Sequence, residues 1–127
     1  MLNPLAFLAV AAGAVLGAWS RWLLAIWLNV HAGGWPWGTL LANLAGAYAI
    51  GLVLGLVSLH PEWPAWIRLA VVTGFIGALT TFSTFSAETV AMLESGAYLR
   101  AAGYAGLSLA GSLAMTALGL ATARVAA

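Results

Sequence analysis

The sequence predicts an all-α membrane protein, a single bundle of four transmembrane helices filling residues 1–127. Three observations carry this. Of the 127 residues, 64% are hydrophobic and 6% charged, with a mean hydropathy of +1.03; soluble domains lie nearer half apolar and a quarter charged. Apolar runs occupy residues 4–28, 38–59, 65–93 and 99–123, each long enough to cross a hydrocarbon core of roughly 30 Å. The joins between them are short, as expected for antiparallel neighbours in a bundle.

In the first run, Ala9-Val10-Ala11 resembles a signal-peptide cleavage site. No Lys or Arg precedes it, and the run stays apolar well past that point, so it reads as a retained helix. Ala9, Gly13, Gly17 and Arg21 fall four apart and share one helical stripe. That stripe, like Gly51 and Gly55 in the second run, is too small for lipid tails to fill and is expected to meet protein. The first join, residues 29–37, holds Gly33, Gly34 and Pro36; the second, residues 60–64, holds two prolines; Ser95-Gly96 makes the third. Trp27, Trp35 and Trp37 flank the first join, and Trp63 and Trp66 the second, where amphipathic rings favour the headgroup zone.

Four arginines, three glutamates and no lysine make no basic stripe, which excludes nucleic-acid binding. The absence of cysteine excludes disulfides and thiolate sites. His31 and His60 lie in joins with neither a nucleophile nor metal ligands beside them, so no enzyme is expected. Arg68 and Arg124 fall on one side of a four-span topology, Arg21 and Arg100 on the other. Two against two gives no orientation by the positive-inside rule. The count fits noise among few charges, and equally a dual topology in which copies insert both ways. Four thin helices cannot enclose a polar path alone, and the two halves show no repeat, so an oligomer is expected.

Polar residues within spans are costly and usually mark a pathway. Thr39 and Asn43 lie four apart on the second span; an inter-helix hydrogen bond is the plain reading of Asn43. Tyr104, Ser108, Ser112 and Thr116 form a stripe of hydroxyls along the fourth span. One or two such hydroxyls could simply bond back to helix carbonyls, but four in register read as a polar track. In the third span, residues 74–88 put glycines, hydroxyls and aromatics at mid-depth. As one helix, residues 65–93 would measure about 43 Å, so the span either tilts or unwinds near residues 77–80. Unwinding would free carbonyl oxygens suited to a hard cation such as Na⁺. Phe82 and Phe85 are lipid-facing or core rings on the plain reading; between Thr81, Ser83 and Thr84 they could instead turn their positive edges to an anion. Arg21 and Glu88 are the charges well inside spans, either as a structural pair or as separate groups, with Arg21 in an anion-attracting vestibule on the functional reading.

Three fragments in order resemble the Fluc-type (CrcB) fluoride ion channel family. They are Gly17-x-x-x-Arg21-Trp22, Gly38-Thr39-x-x-x-Asn43-x-x-Gly46, and Gly74-x-x-Gly77-x-x-Thr80-Thr81-Phe82-Ser83-Thr84-Phe85 followed by Glu88. The resemblance covers the whole chain. It implies a fluoride-selective passive channel exporting F⁻ across the cell (inner) membrane, built as an antiparallel dual-topology homodimer with the third helix broken. It also implies a structural Na⁺ at the dimer centre, held by the Gly77 and Thr80 carbonyls. The pores are then lined by Asn43, Phe82, Phe85, Tyr104, Ser108, Ser112, Thr116 and Thr39, with Arg21 in the vestibule. The chemistry agrees: a dry pore must replace fluoride's water with neutral donors that do not trap it. The alternative is a small multidrug-type proton-coupled antiporter of dual topology, which needs a membrane-embedded acid that the first span lacks. A non-conducting assembly subunit, with the polar stripes as packing glue, is a further reading.

Overall fold

A computed structural model of the chain describes residues 3–29 and 34–126. His31 and Gly33 of the first join lie outside those residues. Among the described residues four helices are long and apolar enough to cross a membrane: Pro4–Asn29, Trp37–Leu59, Ala65–Glu94 and Tyr98–Val125. They are called the first to fourth spans below. The first starts on an Asn3 cap, whose Oδ1 accepts from Ala6 N at 2.7 Å, with Pro4 following at the position where its missing N–H costs nothing. Asn29 closes the other end by accepting from Gly38 N at 2.7 Å, which ties the end of the first span to the start of the second.

The third and fourth spans join through a Schellman turn. Gly96 N donates to Leu93 O and Ala97 N to Met92 O, at 3.0 and 2.8 Å. Gly96 has φ +77, which glycine adopts without steric penalty.

The spans pack as two interleaved pairs. The first lies on the first half of the third, and the second lies on the fourth. Glycine makes both contacts close. A Cβ on Gly13 or Gly17 would run into the backbone of Ala70 or Phe75, and one on Gly74 would stand 2.6 Å from Val10 O. In the other pair, Gly51 and Gly119 abut the opposing backbones at Thr116 and Tyr48. Ala9, Gly13 and Gly17, the small stripe, are all buried. Without a hydrophobic drive between helices in lipid, such close approach is what holds spans together.

Two features of the third span depart from an ordinary helix. Leu69–Ile76 is wound as a π-helix, as is Ala25–Asn29 at the end of the first span; neither was expected from the sequence. The wider winding falls where Ala70, Gly74 and Phe75 meet the first span backbone to backbone. Helical winding is then interrupted at Thr80 and Thr81, whose φ/ψ are −83/153 and −153/121. The interruption comes at the end of the 77–80 stretch marked in the sequence, and a new helix, Phe82–Glu94, starts from it. The piece before the interruption packs on the first span; the piece after packs on the fourth and second.

Candidate functional site

Backbone groups freed inside an apolar layer must find partners. At the interruption each neighbouring span supplies one. Thr81 N donates to Asn43 Oδ1 at 2.7 Å, and Asn43 Nδ2 donates to Thr81 O at 3.0 Å. Arg21 Nε donates to Ala78 O at 3.1 Å. Thr81 also caps the new helix, its Oγ1 accepting from Thr84 N at 3.2 Å. Because Thr81 N turns to Asn43, it leaves the Gly77 carbonyl, its partner in an unbroken helix.

The interruption opens onto a groove of about 850 Å³. Asn43, Gly77, Thr80, Phe82, Phe85, Ser108, Ser112 and Thr116 all line it, so three spans bring these sequence-marked residues to one surface. Phe82 is 78% exposed and stands 5.6 Å from Phe85 between ring centroids. Thr116 Oγ1 donates across to Ala47 O at 3.1 Å. Ser108 Oγ differs: it is buried and, among the described residues, is the buried side-chain polar atom without a hydrogen-bond partner. An unpaired buried hydroxyl is uncommon in a native protein.

Tyr104 and Thr39 lie elsewhere. Steps of four along an α-helix advance by about 40°, so a stripe from position 104 to 116 winds through about 120°. Its upper end leaves the groove. Tyr104 is fully buried between Trp35 and Phe85, at centroid distances of 6.2 and 5.2 Å. Its hydroxyl donates to Glu88 Oε2 at 2.6 Å, while Thr39 Oγ1 donates to Glu88 Oε1 at 2.7 Å. Glu88 thus joins the second, third and fourth spans through two O–H bonds. Sequence reasoning weighed Glu88 against Arg21 and did not find this cluster; the spacing of Thr39 and Tyr104 from Glu88 carries no local signal.

Arg21 and Glu88 form no ion pair among the described residues. Arg21 lines a second, smaller cavity of about 300 Å³ with Trp22, Asn29, Thr39 and Thr84. Its guanidinium therefore has one N–H on the Ala78 carbonyl and a face toward that cavity. Among the described residues no group of three or more His, Cys, Asp or Glu side chains could hold a metal.

Comparison with known proteins decides the family. The model of the CrcB-like protein family, Camphor Resistance (CrcB), matches residues 8–120. The chain belongs to the CrcB family. It is 69% identical over 125 residues to the Fluoride-specific ion channel FluC of Bordetella avium (strain 197N), covering 98% of each chain. A FluC of Bordetella petrii is 71% identical over 122 residues, covering 96% of this chain and 94% of its own. One of Cupriavidus taiwanensis is 50% identical over 126 residues, covering 99% and 100%. Membership of the CrcB family thus extends over every span described above, and with four apolar helices the chain is a multi-pass membrane protein.

Proposed function

We propose that this chain is a fluoride-selective passive channel of the cell's inner membrane, active as an antiparallel, dual-topology homodimer and not an enzyme. The observation that carries this reading is 69% identity, across 98% of the chain, to a protein named a fluoride-specific ion channel. The groove supplies suitable chemistry. Fluoride is small and strongly hydrated, so its path must offer donors in place of water. Ser108 Oγ, buried and unpartnered, is one such donor. The Ser112 hydroxyl and the second N–H of Asn43 add others, and the ring edges of Phe82 and Phe85 add weak attraction. Tyr104 and Thr39 hold the wall through Glu88, and Arg21 raises the anion concentration from its own cavity. Among the described residues no charged side chain lines the groove, so the ion meets neutral donors there. A potential negative inside then drives F⁻ outward, at about 2.3 kcal/mol per 100 mV.

The groove is open along one side, and its polar lining, with Asn43, Thr80 and Ser112, needs a cover other than lipid. A second copy, inverted, would provide it; the two-against-two arginine count sets no barrier to insertion both ways. The donor set at the interruption also suits Na⁺. Gly77 and Thr80 border the groove, and their carbonyls are hard, neutral oxygen ligands. One chain offers two, and a two-fold related copy doubles the number. Na⁺ bound there would link the copies electrostatically at their centre.

Anion efflux from liposomes holding the purified protein, driven by a potassium–valinomycin voltage, tests the reading. Rapid fluoride efflux with negligible chloride efflux is the expected result. Flux that requires a proton gradient would place the protein with antiporters, and no flux would make it a non-conducting subunit. Ser108→Ala sharpens the test. A hydrogen bond to a charged group contributes about 1.5–3 kcal/mol, so losing this donor should slow fluoride about tenfold or more. Melting should be unchanged or slightly raised, since the hydroxyl has no protein partner to lose. Wild-type flux in Ser108→Ala would remove Ser108 from the path.

A further inference from the structure

Asn43 commits half of its side-chain hydrogen-bonding capacity to a single residue 38 positions away. Its oxygen takes the N–H of Thr81, and one of its two amide N–H bonds goes to the carbonyl of Thr81. This is how facing residues of an antiparallel sheet exchange a pair of bonds, with a side-chain amide in place of one strand. Thr81 has the extended dihedrals that such an exchange needs, φ −153 and ψ 121. The second span comes close enough because Gly46 faces the Thr80 methyl, where a Cβ would collide with Cγ2.

We propose that Asn43 is a positioning residue, an amide clamp that keeps the third span open at Thr81 and so fixes where the Gly77 and Thr80 carbonyls sit. The reason lies in what competes with it. In an apolar layer the natural acceptor for Thr81 N–H is the Gly77 carbonyl one turn back. If that bond formed, helical winding would run on through residues 77–82 and the Gly77 oxygen would be withdrawn from the groove. Asn43 outbids the helix by meeting both polar groups of Thr81 at once. The Arg21 bond to Ala78 O and the Thr81 cap on Thr84 N act in the same direction from either side. Its link to the cation rests on the reading that Na⁺ binds at the interruption; the clamp itself does not.

Two changes to the full-length protein test it. Asn43→Leu and Asn43→Ala each leave Thr81 with neither the acceptor nor the donor that Asn43 supplies. Adding the α-hydroxy analogue of Thr81 to either variant turns the N–H into an ester oxygen, so no donor is left to recapture the Gly77 carbonyl. The first readout is the Na⁺ midpoint for thermal stabilisation of purified protein, with N-methylglucamine as the replacement cation. Residues that orient metal ligands typically change affinity by about 10–100-fold when altered, so both Asn43 variants should raise the midpoint at least about tenfold. The clamp is overturned if a folded Asn43 variant keeps the wild-type midpoint. The second readout is the infrared band of a ¹³C-labelled Gly77 carbonyl, which needs no cation. In the Asn43 variants it should move to lower frequency as Thr81 N–H recaptures that oxygen, and with the Thr81 ester added it should not; an unmoved band in a folded Asn43 variant sinks the clamp. A wild-type protein that Na⁺ does not stabilise would refute the sodium reading alone, and the carbonyl band would then decide the clamp.

Discussion

Gly51→Val should abolish assembly of the bundle. At this position the second span touches the fourth with no side chain between their backbones. A Cβ there would collide with the Thr116 carbonyl oxygen, and would stand 2.9 Å from its carbon and 3.0 Å from Leu120 N. Two helices cannot part at one point without parting along their length. The same contact includes Gly119 against Tyr48 and Leu52, and Gly55 against Ala123. Flanking bonds would be lost with it, Thr116 Oγ1 to Ala47 O and Tyr48 Oη to Thr122 Oγ1. Overpacking of side chains alone costs about 1–3 kcal/mol; a backbone collision with lost hydrogen bonds should exceed that range. The expected result is loss of the monodisperse peak in size-exclusion chromatography and no fluoride efflux. Gly106→Ala is the matched control, since a Cβ at Gly106 meets nothing within 4 Å. A well-behaved, conducting Gly51→Val would show that the spans do not approach this closely.

Glu88→Leu should be nearly as damaging, for a different reason. Thr39 and Tyr104 are 2% and 0% exposed, and both hydroxyls point at the Glu88 carboxyl group. Leucine leaves two buried donors without acceptors, each costing about 1–3 kcal/mol, or about 2–6 kcal/mol together. That is a large share of a typical folding free energy of about 5–15 kcal/mol. Glu88→Gln retains one oxygen and should lose far less. Thermal unfolding followed by tryptophan fluorescence measures the difference. Equal melting temperatures for the two variants would mean that the hydroxyls find other partners and that the cluster does not brace the bundle.

Much of the fold was legible because lipid imposes simple rules. Length and apolarity mark four spans, and the small residues at 9, 13 and 17 lie against protein because no other surface lets a backbone so near. The residues later found around the groove were visible too, since a polar group within a span needs a reason to be there. What stayed hidden depends on distant partners. An amide inside a span predicts an inter-helix bond for Asn43, but its choice of Thr81 depends on Gly46 admitting the third span. The four-residue spacing from Tyr104 to Thr116 reads as one track until the helix's rotation turns Tyr104 toward Glu88. Arg21 invites a pairing with the nearest acid, yet the carbonyl of Ala78 holds its Nε. The π-wound stretch Leu69–Ile76 is uniformly apolar apart from Thr73, and only the backbone contact with Gly13 and Gly17 marks it out.

The interleaved order of the pairs bears on how the chain is made. A ribosome delivers the spans one after another, yet the first fits against the third and the second against the fourth. Each newborn helix therefore emerges beside a neighbour that is not its main packing partner. Gly17 must wait until residues beyond Gly74 have been synthesised, which at about 5–20 residues per second is several seconds. Throughout that delay the notched surfaces face acyl chains or the insertion machinery, and truncation before the third span strands them permanently. The first seam can close once the third span is in place, whereas the second closes only after the final helix is released.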